Sequence, residues 1–154
     1  MAMKILLAIA ILFLSPVKRT TDEFSQKYKP HESGGYIVRP GIVMDVKATA
    51  SGDACEAEIK PLASTASKDP LPAVMPSETA KEAVDEIIPE IKRGKLITRY
   101  QFNGGCSGMD VSSYEKATIS LGTRCKEGGG GVYFARIQWI RDECPNNKPL
   151  KSND

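Results

Sequence analysis

Two groups of side chains in this sequence could do chemistry, and the first is a set of four cysteines. Cys55, Cys106, Cys125 and Cys144 are even in number and lack the CxxC spacing of zinc and thioredoxin-like sites. Such a set is typical of disulfides formed in an oxidising compartment, and the alternative is a set of separate buried thiols. We therefore predict two disulfides and no metal site.

The second group consists of carboxylates that could work in acid-base catalysis: Asp85, Glu86, Glu90, Asp110 and Glu115. A nucleophilic Ser or Cys would need an adjacent imidazole, but the only histidine, His31, lies in a polar stretch near the N-terminus. These carboxylates also lack the spacing of a calcium-binding loop. The pattern favours a solvated helix face, so we predict no catalytic residue and no cofactor.

The charge pattern does not indicate a nucleic-acid-binding protein. The formal net charge is only +2 and aromatic residues make up 6% of the chain, whereas such surfaces combine basic clusters with aromatic side chains. The short basic cluster 92–95 follows a predicted helix, where cations oppose the negative pole of the helix dipole. A hydrophobic fraction of 41% and a charged fraction of 26% fit one folded domain.

The elements around these residues begin with a short cationic and apolar leader. Lys4 precedes an apolar run over 5–14, which is too short to span a bilayer. We predict a signal peptide or N-terminal anchor over 1–17, and the other interpretation is a buried structural segment. The predicted location is periplasmic or extracellular, with membrane contact only through 1–17 if this segment is not cleaved.

Three regions follow the leader. Residues 18–35 are polar and end in Gly-Gly, so they are predicted to form a disordered tether. A single domain is predicted over 36–145. The last residues, 146–154, are predicted to form a disordered tail.

Within the domain, hydrophobic periodicity predicts strands and one helix. Alternating residues over 42–48 and 55–60, separated by Ser-Gly-Asp, predict a hairpin. An apolar stripe predicts a helix that begins near Ser77 and ends near Pro89. Three further strands are predicted in the last third of the chain, over 96–103, 114–121 and 132–140.

This order predicts a two-layer α+β fold, β-β-α-β-β-β, stapled by disulfides. A mainly antiparallel sheet of about five strands would carry one amphipathic helix packed on one face. If the last three strands form a meander, Cys106 lies near Cys144 and Cys125 lies at the opposite end. The predicted pairs are then Cys55–Cys125 and Cys106–Cys144, and a different strand order would change them.

Several segments resemble a group of small exported bacterial proteins of unknown function. The likeness covers about residues 36–144 and includes the four segments 36–43, 51–55, 86–94 and 137–140. The resemblance implies a bacterial envelope or secreted setting. It implies no activity and no functional residues.

Three functions are compatible with this pattern. The leading hypothesis is a non-enzymatic exported binding or structural module of the bacterial cell envelope, with an unknown protein or envelope partner. The alternative is a secreted effector or inhibitor that acts through the proline-rich loop 61–76. A second alternative is a small hydrolase that uses the helix carboxylates.

Overall fold

The computed structural model describes residues 19–62, 72–126, 129–140 and 144. The predicted leader over 1–17 and the predicted tail over 146–154 lie outside the described residues, as do residues 63–71 of the proline-rich loop. The helices and strands in chain order are α1 (Thr21–Lys27), β1 (Lys29–Pro30), β2 (Tyr36–Arg39), β3 (Ile42–Ala48), β4 (Ala54–Pro61), α2 (Ser77–Ile87), α3 (Glu90–Arg93), β5 (Leu96–Gly104), β6 (Ser107–Tyr114), β7 (Ala117–Lys126) and β8 (Gly129–Trp139).

The eight strands form one antiparallel sheet in the order β1-β2-β3-β4-β8-β7-β6-β5. The predicted five-stranded α+β fold is therefore wrong, because the structure is mostly a larger sheet with three short helices. The prediction missed β6, whose large apolar and aromatic side chains, Met109, Val111 and Tyr114, do not keep a strict alternation. It also placed the two-residue turn Glu115–Lys116 inside a single strand over 114–121.

The core lies between the sheet and helix α2. Alternate residues of the central strands point towards the helix, and the buried cluster joins them to one face of α2 at Ala80, Ala83, Val84 and Ile87. This burial follows the period of 3.6 residues read from the sequence. We call the sheet surface on the side of α2 the helix face and the opposite surface the open face.

The N-terminal segment is folded where the structure describes it. In place of the predicted disordered tether over 18–35, α1 and β1 pack against the domain, and Phe24 is only 1% exposed. The ring centroid of Phe24 lies 6.4 Å from that of Tyr28 and 6.2 Å from that of Tyr36. Two buried aromatic side chains, Phe24 and Tyr28, thus join an otherwise polar segment to the core.

Two disulfides form, as predicted, but the predicted pairing is wrong. The structure joins Cys55 to Cys144 and Cys106 to Cys125. Cys106 lies in the turn before β6 and Cys125 lies near the end of β7, so the antiparallel strands bring both to the same end of the sheet. The strand that the prediction missed is therefore the reason for the wrong pairing.

The two disulfides indicate an oxidising environment of the kind that exported proteins encounter. Among the described residues, no helix has the length and apolar character needed to cross a membrane.

Candidate functional site

Strand β5 forms one edge of the sheet, and all nine of its residues are exposed. In the part of the chain that the structure describes, no strand pairs with its outer side. Several of its exposed side chains are large and apolar, with Tyr100 56% exposed and Phe102 68% exposed. An edge strand presents unpaired backbone donors and acceptors, so β5 can accept another strand.

The two edges of the sheet differ in their protection against such pairing. Strand β1, at the other edge, has two residues, Lys29 and Pro30. A very short strand, a lysine and a proline are all devices that prevent strand addition. Strand β5 is long, contains neither lysine nor proline, and carries a single charged residue, Arg99. Only the β5 edge is open to pairing.

The turn after β5 determines which backbone groups point outwards. Gly105 has a φ of 59° and Cys106 has a negative φ, the pattern of a type II′ turn that closes a two-residue hairpin. Gly104 and Ser107 therefore form a hydrogen-bonded pair, and bonded and non-bonded pairs alternate along the strand. The N–H and C=O groups of Arg99, Gln101 and Asn103 consequently point away from β6.

A disulfide holds this edge in place. Cys106, in the turn that joins β5 to β6, is bonded to Cys125 of β7, and the N–H of Cys125 donates to the carbonyl oxygen of Cys106 at 2.8 Å. The hairpin that carries the edge is thus tied to the strand behind it. The glycine-rich segment is thus a tight turn closed by a disulfide.

The open face near β5 carries an apolar row. Phe102, Met109, Gly122 and Phe134 are successive partners across β5, β6, β7 and β8. The ring of Phe134 covers Gly122, since a Cβ atom added there would lie 2.2 Å from the ring. We call Tyr100, Phe102, Met109 and Phe134 the aromatic patch. Tyr100, Phe102 and Met109 are exposed and Phe134 is half-buried beside them, and contiguous apolar surface of this kind marks interaction sites.

The rest of the open face is polar and electrically balanced. Lys47 Nζ lies 2.8 Å from Glu56 Oε1, and Arg136 Nη2 donates to Glu58 Oε2 at 2.6 Å. The Arg136 guanidinium also lies 5.2 Å from the ring centroid of Phe134. This polar surface of mixed sign borders the aromatic patch.

On the helix face, the β5 end of the sheet forms a cleft of about 230 Å³ with α2 and α3. Its apolar lining comes from Val84, Ile119 and Leu121, and charged side chains also line it. Arg99 Nε donates to Asp110 Oδ1 at 3.1 Å, and Gln101 Nε2 donates to Asp110 Oδ2 at 3.1 Å. Asp110 thus joins the polar side chains of β5 to the neighbouring strand.

The pKa of Asp110 lies below its ordinary value. The largest cause is hydrogen bonding from Arg99, which lowers the pKa. Partial burial raises it, and a hydrogen bond from Gln101 and the charge of Arg99 lower it further. Because the folded pKa is depressed, the stabilisation is present above the ordinary value of 3.8. It is lost as the pH falls through the folded pKa.

Replacing Arg99 by methionine is expected to raise the pKa of Asp110, because the dominant donor and its charge are removed. A pH titration of the Asp110 carboxyl carbon by NMR measures this shift. Arg136→Met on the open face serves as the control and is expected to leave the pKa of Asp110 unchanged. An unaltered titration in Arg99→Met would contradict the assignment.

The structure separates the carboxylates that the sequence grouped together. Asp85, Glu90 and Asp110 line the cleft, whereas Glu86 and Glu115 do not. Asp85 pairs with the buried Arg93, and Glu115 accepts a hydrogen bond from the N–H of Lys95 at 2.9 Å.

Glu86 belongs to a network with α1. Tyr28 donates to it at 2.8 Å, and Lys27 Nζ lies 3.0 Å away. Partial burial alone would raise the pKa of Glu86, but these hydrogen bonds and the charges of Lys27 and Arg39 hold it below the ordinary value. A general acid near neutral pH needs a raised pKa, so Glu86 and Asp110 are tuned in the opposite direction.

Among the described residues, no group of three or more His, Cys, Asp and Glu side chains could hold a metal ion. The geometry instead singles out the β5 edge with the aromatic patch on one side and the cleft on the other. Sequence reasoning identified β5 as a strand but not as an edge. Comparisons with protein-family models, with curated proteins and with solved structures find no match to this chain.

Proposed function

We propose that this protein is a non-enzymatic exported binding module of the bacterial cell envelope, located in the periplasm or outside the cell. The single observation that carries the proposal is the β5 edge, nine exposed residues with no lysine or proline, one charge that is paired with Asp110, and a bulge confined to the start of the strand. Two disulfides in the same chain support an oxidising location. Maintaining so open an edge favours a role in binding.

The binding mode that fits this edge is strand addition. An extended polypeptide segment would bond to the outward backbone groups of Arg99, Gln101 and Asn103, and main-chain hydrogen bonds would supply much of the affinity. Side chains of the added strand would alternate between the two faces. On the open face they would meet Tyr100 and Phe102, which favours apolar side chains at alternate positions of the partner.

Crosslinking in the native envelope tests this function. A photoreactive phenylalanine analogue at position 102 is expected to capture a polypeptide, because Phe102 is exposed beside the edge. The matched control is the same analogue at position 29 in β1, at the protected edge. Gln101→Pro is expected to abolish capture from position 102, since it removes an outward N–H that the added strand needs.

Capture of another protein and capture of another copy of this chain would both support the proposed binding function. Gln101→Thr keeps the backbone N–H while also losing the side-chain amide, so it should retain capture. Proline is tolerated where the N–H of an edge strand faces solvent, and an unchanged melting curve checks that Gln101→Pro remains folded. Equal adducts from positions 29 and 102, or capture insensitive to Gln101→Pro, would overturn the proposed function.

A further inference from the structure

We infer that the strand added to β5 is the β5 strand of a second copy, in a symmetric antiparallel dimer. This inference rests on the proposed function of β5 as a binding edge and names its occupant. The dimer would join two eight-stranded sheets into one continuous sheet. Four features of the described residues carry the inference. They are the register that the backbone permits, the side chains on the open face, the side chains on the helix face, and the protection of the opposite edge.

The backbone restricts the symmetric registers. A two-fold axis perpendicular to the sheet keeps the open faces of both copies on one side, so residues of even number must oppose residues of even number. Residues of odd number then oppose residues of odd number, so outward-pointing backbone groups such as those of Arg99 and Gln101 face each other, as a hydrogen-bonded ladder requires. Centring the axis at Tyr100 overlaps the two β5 strands over all nine residues, with the stretch 98–102 free of the bulge between Leu96 and Thr98, whereas moving the axis by one residue in either direction overlaps seven.

On the open face this register places aromatic side chains opposite each other at the two-fold axis. Tyr100 faces Tyr100 of the second copy in a non-hydrogen-bonded pair, where side chains approach most closely. Cross-strand aromatic pairs stabilise antiparallel sheets. In each copy Tyr100 is the partner of Val111, which is buried, so the two Tyr100 side chains would join the aromatic patches across the axis.

On the helix face the same register avoids facing like charges. Arg99 lies opposite Gln101 of the second copy, and the Gln101 of each copy already donates to its own Asp110. Across the junction the side chains therefore follow in the order Asp110, Gln101 and Arg99 of the second copy. A carboxylate and a guanidinium thus lie on either side of a neutral amide. Moving the axis to Arg99 would place two guanidinium groups opposite each other, which is unfavourable in a cross-strand pair.

The β5 strand has the side-chain pattern that suits a strand pairing with its own edge. From Arg99 to Asn103 it alternates aromatic residues on the open face with polar ones on the helix face, and its only charge is paired with Asp110. The opposite edge, β1, is protected by Lys29 and Pro30. Pairing at β5 therefore closes the assembly at two copies and does not propagate it.

The molecular mass of the purified, oxidised protein in solution tests the inference. Sedimentation equilibrium is expected to show a dimer that dissociates on dilution. Gln101→Pro removes two symmetry-related hydrogen bonds, so the dissociation constant should rise on the order of tenfold or more. Gln101→Thr, which keeps the N–H, should dimerise more tightly than Gln101→Pro.

A site-specific crosslink tests the register. Tyr100→Cys is expected to form a disulfide-linked dimer on mild oxidation, because non-hydrogen-bonded partners have Cα atoms about 4.5 Å apart, within disulfide range. Phe102→Cys is the matched control. Its counterpart in the second copy lies four residues further along the strand, about 13 Å away, so it should not crosslink.

The possible results separate this inference from the proposed function. A dimer weakened by Gln101→Pro and crosslinked through position 100 but not position 102 supports the inference. A monomer at all concentrations, with another protein captured from position 102, overturns the second copy as occupant and leaves the binding function standing. A monomer that captures no polypeptide at position 102 overturns both.

Discussion

Removing the Cys55–Cys144 disulfide with the double substitution Cys55→Ala and Cys144→Ala is expected to lower the free energy of unfolding by about 4.5 kcal/mol. The two cysteines are 89 residues apart in sequence, and a crosslink that closes a longer loop restricts the unfolded chain more strongly. Against a typical domain stability of about 5 to 15 kcal/mol, this loss is a large fraction of the total.

The second disulfide provides a matched control. Cys106 and Cys125 are only 19 residues apart, so Cys106→Ala with Cys125→Ala is expected to cost about 3 kcal/mol. Denaturant unfolding of the three proteins, with wild type as reference, measures both differences. A larger loss from the short loop than from the long one would contradict the loop-length account.

Replacing Phe24 by alanine is expected to lower the free energy of unfolding by about 3 to 5 kcal/mol. The Phe24 ring is 1% exposed and contacts Tyr28 and Tyr36, so its removal leaves a cavity between α1 and the sheet. Since α1 is short and isolated short helices are marginal in water, its packing depends on this side chain.

The exposed neighbour Glu23 supplies the control on the same helix, and Glu23→Ala is expected to change stability by less than about 0.5 kcal/mol. Thermal or denaturant unfolding measures both variants. If Phe24→Ala were as mild as Glu23→Ala, the segment before β2 would behave as the tether that its polar composition predicts.

Local sequence patterns were sufficient to predict the helix and strands whose apolar residues recur with a clear period. The alternation over 42–48 and 55–60 predicted the hairpin of β3 and β4, and the apolar stripe with Pro89 predicted the extent of α2. These features depend on neighbours in the chain, namely period, turn residues and a proline that ends a helix. The even number of cysteines likewise predicted two disulfides.

Elements that depend on distant contacts were missed or misread. Residues 107–114 are rich in Ser and Gly and show little apolar alternation, yet they form β6 because strands lie on both sides of them. Phe24 and Tyr28 were overlooked because two aromatic residues in a polar segment are too few to establish a hydrophobic period. Each miss is a case in which tertiary packing outweighed local pattern.

The candidate site shows the same difference between what local sequence patterns predict and what tertiary packing determines. Sequence reasoning looked for chemistry among helix carboxylates, but the structure pairs Asp85 with Arg93 and Asp110 with Arg99. Ion pairs across elements depend on which elements are neighbours, so the spacing of charges along the chain did not show them.

The sequence by itself determined that residues 96–103 form a strand and that the cysteines form disulfides, because these properties are local or compositional. Only the tertiary structure decided that β5 is an edge. The segment containing α2 connects β4 to β5, and the meander β5-β6-β7-β8 returns to pair β8 with β4, which leaves β5 outermost. An edge is a property of strand order, and strand order is set by pairings between residues far apart in the chain, such as Glu58 with Arg136.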